Sequence, residues 1–178
     1  LGCFLGGVSK ILSNLTKNNG GSVTSVEGFE LNYNQCKTSY PDLEFIHADL
    51  DSPQTDIWQF DEHYDIIIHW GLLYHLQYPE ESLKRCLKHC DTMLLETVIV
   101  DSDNTANCHI AEKNIWGNDQ SIHKIGSRFN TAFVENVFNH LEFKRYDNTE
   151  LNSKNQPNYD WEPTNDGKEY RRFWIIEG

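Results

Sequence analysis

The chain has 178 residues, 38% of them hydrophobic and 12% aromatic, which suits one folded domain and excludes a disordered composition. Its net charge of −12 opposes nucleic acid, whose phosphates demand clustered Lys and Arg, and no apolar run approaches the ~18 residues of a membrane span. Five cysteines, an odd number at loose spacing, do not make a disulfide framework and point to a reducing, cytoplasmic setting.

In chain order, Val8, Ile11, Leu12 and Leu15 recur at helical spacing after the opening glycines, and Asn19-Gly20-Gly21 ends that helix. Asn14-Leu15-Thr16 matches a glycosylation sequon but falls inside it, so it is discounted. Ser22 to Glu27 reads as a short buried strand. A helix over Leu31 to Ser39 stops before Pro41, and "LEFIHAD" is a second strand. "HYDIIIHW" is a third, nearly all apolar, as strands covered on both faces are.

Pro79, Glu80 and Glu81 make a good helix start, and Leu83, Cys86, Leu87 and Cys90 give that helix one apolar face. "TMLLETVIV" is a fourth strand. Residues 101 to 126 are polar and weakly patterned, which predicts a long loop or lid. Phe133, Val134, Val137, Phe138 and Leu141 mark another helix. "EFKRYDNTEL" and "YRRFWIIE" are late strands joined by a polar loop. Strands alternating with helices imply an α/β domain with a mainly parallel sheet, and the two late strands, with no helix between them, imply an antiparallel hairpin at its edge.

The opening "LGCFLGG" places Gly2, Gly6 and Gly7 before a helix, as in nucleotide-binding βαβ turns, although a tight turn before a helix would also use glycines. Glu27 ends the next strand about 20 residues on, where an acid can accept from ribose hydroxyls; a surface glutamate is the plainer alternative. Asp49 lies just beyond the second strand, where it can accept from an adenine amino group or cap the segment from Ser52.

"LGCFLGG", "SVEG", "HADL" and "YDIIIHWGLLYHL" follow one another in the order of the glycine turn and strand-end motifs of class I S-adenosylmethionine-dependent methyltransferases, and the chain resembles that family over about residues 1 to 100. It is similar to a subgroup with "LGCxEGG", "GxLYHL" and a strand containing "LET", with Leu5 in place of that subgroup's acid. More distantly it resembles tRNA wobble-uridine carboxymethyltransferases, which share the "LYH" and "LET" segments and an aromatic-Arg-Arg stretch.

The resemblance implies a Rossmann-like methyltransferase domain over 1-178, cut at its N terminus so that the first strand precedes Leu1. It implies S-adenosylmethionine as cofactor and S-adenosylhomocysteine as product. Gly2 and Gly6 would face the amino-acid part of the cofactor, Glu27 the ribose and Asp49 the adenine, with His69, Trp70 and Gly71 lining the pocket. A dinucleotide oxidoreductase fits less well, because "GLLYHL" has no role there.

Methyl transfer from a sulfonium is an in-line displacement, so the protein mainly aligns the reactants, and a base is needed only if the acceptor must lose a proton. His75 is the candidate base or a packing residue, and Tyr74 combines ring packing with a hydroxyl that reaches a partner. Glu96 interrupts an apolar strand and must find a partner or a strand end. Arg128, Arg171 and Arg172 are candidates for an acidic group on the acceptor, the last two on opposite strand faces. Trp116 and Phe129 either stack on a substrate or anchor a loop. His89 with Cys86 and Cys90 is a poor metal set, since both thiols share the core-facing stripe. The expected function is methyl transfer to a small-molecule acceptor. The alternatives are alkyl transfer to tRNA, which the net charge disfavours, and a cofactor-binding module without catalysis.

Overall fold

The computed structural model describes residues 1–51, 63–104, 108–111, 121–141, 143–146 and 167–177. They form two compact units, Leu1–Leu50 and Asp51–Gly178. The expected lid residue Trp116 and most of the polar loop after residue 146 lie outside the described residues.

The first unit runs α1 (Gly7–Lys17), β1 (Thr24–Glu27), α2 (Glu30–Ser39) and β2 (Glu44–His47). β1 and β2 pair in parallel, from Thr24 opposite Glu44 to Glu27 opposite His47. Val26, Cys36, Phe45 and Leu50 are its buried apolar side chains. The apolar stripe that predicts α1 is not what packs. Val8, Ile11 and Leu15 stay 48%, 60% and 65% exposed, while Ser9 on the other side of the helix is buried. Ser9 accepts a 2.8 Å hydrogen bond from Ser25 of β1, so a polar pair joins helix to strand. Leu1 to Leu5 form no strand, but the Cys3 N–H donates to the Val26 carbonyl at 3.1 Å, so the chain starts alongside β1.

The second unit holds β3 (Tyr64–Trp70), a 3-10 turn at Leu73–His75, α3 (Pro79–Lys88), β4 (Cys90–Val100), β5 (Cys108–Ala111), β6 (Ile125–Arg128), α4 (Thr131–His140), β7 (Lys144–Tyr146) and β8 (Glu169–Glu177). Its main sheet has the order β3-β4-β8-β7. β3 and β4 are parallel, and β8 and β7 close the sheet as the antiparallel C-terminal pair that the sequence predicts. Two details differ. Cys90 opens β4 rather than closing the helix before it. The stretch read as an open loop contains β5 and β6, which pair antiparallel from Cys108–Arg128 to Ala111–Ile125. Their four-residue strands carry little apolar alternation, so periodicity did not reveal them.

Strand alternation gives the main sheet two unlike faces. Ile67, His69, Met93, Leu95, Thr97, Trp174 and Ile176 are buried on one. There α3 contributes Leu83, Cys86 and Leu87, and Phe138 of α4 meets Trp174 edge to face at 6.5 Å. The other face carries Ile66, Trp70, Glu96, Phe173 and Arg171, with Ile66 and Trp70 exposed.

Side chains fix the chain just before α3 and cap the start of α4. The buried Asp51 carboxylate accepts from the Gln77 and Tyr78 N–H groups at 2.7 and 2.8 Å, just before Pro79. Asn130 accepts from the Phe133 N–H at 2.9 Å and donates to the Ser102 carbonyl at 2.7 Å.

Candidate functional site

In the first unit the opening turn is a run of left-handed residues, with φ +59° at Gly2, +51° at Phe4 and +78° at Gly6. Gly6 is required twice over. Its backbone is one that L side chains resist, and a Cβ there would stand 3.0 Å from the Tyr40 ring and 3.2 Å from Phe45. Gly7 opens α1, and a Cβ on it meets nothing within 4 Å. The carboxylate of Glu27, at the carboxyl end of β1, ties this turn down. It accepts from the Phe4 N–H at 2.7 Å and from the Phe29 N–H at 3.0 Å. A carboxylate has about four acceptor positions, so two backbone bonds leave capacity for a ligand's hydroxyls. Asp49 lies two residues past the end of β2, half-buried, as the sequence places it. At the same strand end, His47 stacks on Tyr33 at 5.1 Å between ring centroids.

In the second unit a polar cluster lies level with the carboxyl end of β3, the end of a parallel sheet at which ligands bind. Trp70, Glu96 and Phe173 stand in one row across β3, β4 and β8. Trp70 meets Phe173 edge to face at 6.1 Å, and Glu96 is only 4% exposed. One oxygen of Glu96 accepts from Arg171 Nη1 at 2.6 Å. The other is 3.8 Å from the position that a Cβ on Gly71, a residue with φ +64°, would take. Arg171 also donates from Nη2 to the Tyr74 hydroxyl at 3.1 Å and stands over the Tyr74 ring at 5.5 Å. Because arginine only donates, the Tyr74 oxygen accepts and its proton points away from Arg171. Burial works to lower the Arg171 pKa, but the bonds to Glu96 and Tyr74 outweigh it and the pKa is raised. Arg128 also stands over the Tyr74 ring, 5.7 Å from its centroid, and pairs with Glu169 at 2.5 Å.

His75 is 8% exposed, with its ring 4.0 Å from that of Tyr74. Burial, then the charges of Arg128 and Arg171, lower its pKa to about 4, so it is a neutral imidazole near pH 7. His69 corrects the sequence reading. Alternation puts it on the helix-covered face, opposite Trp70, so the two cannot line one pocket. It is fully buried beside Ser82 of α3, its Nε2 3.3 Å from the serine oxygen, and burial pushes its pKa down to about 3. Its Nδ1 meets no hydrogen-bond partner among the described residues.

Arg172 faces away from Arg171, as the alternation predicts, and stands 5.6 Å over the Trp174 ring. Phe129 is 1% exposed and stacked on Phe133, which makes it an anchor of the chain before α4. Burial raises the Cys86 and Cys90 thiols to about 12 and about 11, so both rest protonated near pH 7. Among the described residues no helix is long and apolar enough to cross a membrane. Sequence reasoning missed Asp51 as the cap of the segment before α3, a role visible only once its distant partners Gln77 and Tyr78 are placed.

No family model matches the chain, and no curated protein matches it. Solved structures do. The N-terminal domain of EvdMO1 in the presence of SAH and D-fucose superposes with a TM-score of 0.75 at 15% identity, over 99% of this chain and 73% of that one. The same domain with SAH bound gives 0.71 at 16% identity, over 99% and 71%. The plantazolicin methyltransferase BamL, in complex with a triazolic desmethylPZN analog and SAH, gives 0.59 at 13% identity, over 99% and 74%. The [4+2]-cyclase SpnF gives 0.58 at 10% identity, over 99% and 72%. At such identities the likeness establishes the fold, which is the α/β, Rossmann-like fold of the class I S-adenosylmethionine-dependent methyltransferases.

Proposed function

We propose that this chain binds S-adenosylmethionine and directs its methyl group to a small-molecule acceptor. The observation that carries the reading is Glu27, a carboxylate at the carboxyl end of β1 that is bonded to the backbone of a glycine turn opening a helix. This is the local arrangement that holds ribose hydroxyls beside a tight turn. In this reading the turn from Gly2 to Gly6 takes the amino-acid end, the remaining lone pairs of Glu27 take the ribose, and Asp49 takes the adenine amino group. When bound, the cofactor supplies an electrophilic methyl group on a sulfonium. The protein's own share is to align the acceptor and exclude water. In the second unit Trp70 and Gly71 stand at the end of β3, and Arg171 orients the hydroxyl of Tyr74. His75, next to Tyr74, is neutral near pH 7, and with its pKa lowered to about 4 it is a weak base.

Small-molecule acceptors are supported by the neighbours solved with D-fucose and with a desmethylPZN analog. The net charge of −12 weighs against tRNA. The same fold in a [4+2]-cyclase means that architecture does not choose the reaction, so cofactor binding and methyl transfer need separate tests. Isothermal titration with S-adenosylmethionine and S-adenosylhomocysteine gives saturable heat if the reading holds, and Glu27→Ala weakens it about tenfold through the lost acceptor. A folded chain that binds neither compound sinks the proposal. Binding without label transfer to any acceptor in a screen with labelled cofactor leaves the non-catalytic module.

A further inference from the structure

Two of the five cysteines meet in the opening turn. Cys3 and Cys36 are free thiols with their sulfurs 3.9 Å apart. Cys3 belongs to the turn, where its N–H bonds to the Val26 carbonyl at 3.1 Å and its carbonyl accepts from the Gly6 N–H at 2.9 Å. Cys36, fully buried on α2, donates its thiol proton to the Phe4 carbonyl at 3.0 Å. Phe4 is thus held at both ends, its N–H by Glu27 and its C=O by Cys36, in a left-handed conformation that a non-glycine residue adopts only when held.

We propose that Cys3 and Cys36 form an oxidisable dithiol whose closure to a disulfide remodels the glycine turn. A disulfide bond is about 2.05 Å long, so the sulfurs must approach by about 1.9 Å. The oxidant is a peroxide or a small-molecule disulfide. Cys3, the partly exposed thiol, reacts first. With peroxide it becomes a sulfenic acid and releases one water; Cys36 then attacks that sulfur, the S–S bond forms, and a second water leaves. With a small disulfide, Cys3 forms a mixed disulfide and Cys36 displaces the remaining small thiol, so two small thiols are released. Either way two S–H bonds are lost, one S–S bond is made and two electrons pass to the oxidant.

The structural consequence follows from the proton that is lost. A disulfide sulfur has nothing to donate, so the Phe4 carbonyl loses its partner and Cys3 is drawn toward α2. Burial, followed by the neighbouring Cys36 and Glu27, raises the Cys3 thiol to about 12, and burial raises Cys36 as well. Both therefore rest as thiols at neutral pH, and oxidation is slow and accelerates with pH. That closure also weakens cofactor binding rests on the function proposed above.

The test is to incubate the whole chain with hydrogen peroxide, and separately with oxidised glutathione, and to map its peptides without reduction. The expected result is a Cys3–Cys36 linked peptide with the mass of two hydrogens lost, absent in Cys3→Ser and regenerated as free thiols by dithiothreitol. The backbone amide resonance of Leu5, whose peptide carries the Phe4 carbonyl, should shift on oxidation whether or not any cofactor binds. S-adenosylhomocysteine affinity should fall at least tenfold in the oxidised chain and return on reduction. A folded chain that oxidises only at the exposed Cys108, or that links Cys3 to Cys36 with no movement at Leu5, overturns the proposal. Linkage with the Leu5 shift, in a chain that binds no S-adenosylhomocysteine even when reduced, establishes the dithiol and removes the function reading instead.

Discussion

Glu96 sits in a strand of Met, Leu, Thr, Val and Ile, where an uncompensated carboxylate would cost several kcal/mol. It is tolerated because Arg171 reaches it diagonally from β8 with a 2.6 Å bond, and Arg171 in turn orients Tyr74. This chain of contacts makes a prediction that separates the pair from its members. Arg171→Met leaves Glu96 buried without its cation and should cost about 2–3 kcal/mol, below the usual cost for a fully buried pair because Arg171 is partly solvated. Glu96→Gln should cost less, and the double variant should be more stable than the two single losses added together. Urea unfolding of the four proteins measures this coupling, and additive losses would show that the pair acts as two independent residues. Tyr74→Phe should leave stability within about 1 kcal/mol of the parent, since it removes one partly solvated hydrogen bond.

The helices show what could be read from the chain and what could not. α3 was legible because its signals agree: proline and two acids start it, and Leu83, Cys86 and Leu87 face the sheet. α1 was legible as a helix but not in its packing. Its spacing defines a helix, yet the Ser9–Ser25 contact rather than the Val8, Ile11 and Leu15 stripe joins it to β1. Periodicity reports which residues share a face, not which face meets a neighbour. The same logic explains the candidate site. Glu27 and Gly6 were legible because a strand end and a glycine turn have local signatures. Arg171's bond to Glu96 spans 75 positions and depends on β8 joining β4 antiparallel, which no local pattern encodes. Mutation tests this contrast between helices. Leu83→Ala should cost about 2–5 kcal/mol, since the side chain is wholly buried. Ile11→Gln, on the exposed stripe, should change stability by no more than about 0.5 kcal/mol. A large loss at Ile11 by chemical denaturation would mean that the stripe is covered in solution.

At the scale of the whole molecule, charge and buried histidine act in opposite directions as the pH falls. The chain carries a net charge of −12 at pH 7 with a pI near 5.0, so acidification toward that point relieves self-repulsion. His69 and His75 oppose this gain. Both are buried, with pKa values lowered to about 3 and about 4, against about 6.5 in the unfolded chain. Between each folded value and 6.5 the unfolded chain binds the extra proton, so stability is full above about pH 6.5 and is lost as the pH falls below it. From about pH 7.5 to about pH 5 each histidine accounts for a loss of about 2 kcal/mol. His75 faces the ring of Tyr74 and the charges of Arg128 and Arg171, so neutralising either arginine should soften its share. His69 faces the uncharged Ser82, and its share comes first from burial. Replacing His69 with Gln removes that titration and leaves the surface charge unchanged. Urea midpoints across this pH range should then fall about half as steeply as in the parent. An unchanged slope would assign the acid loss to His75 or to carboxylates and would mean that His69 is not held neutral by its burial under α3.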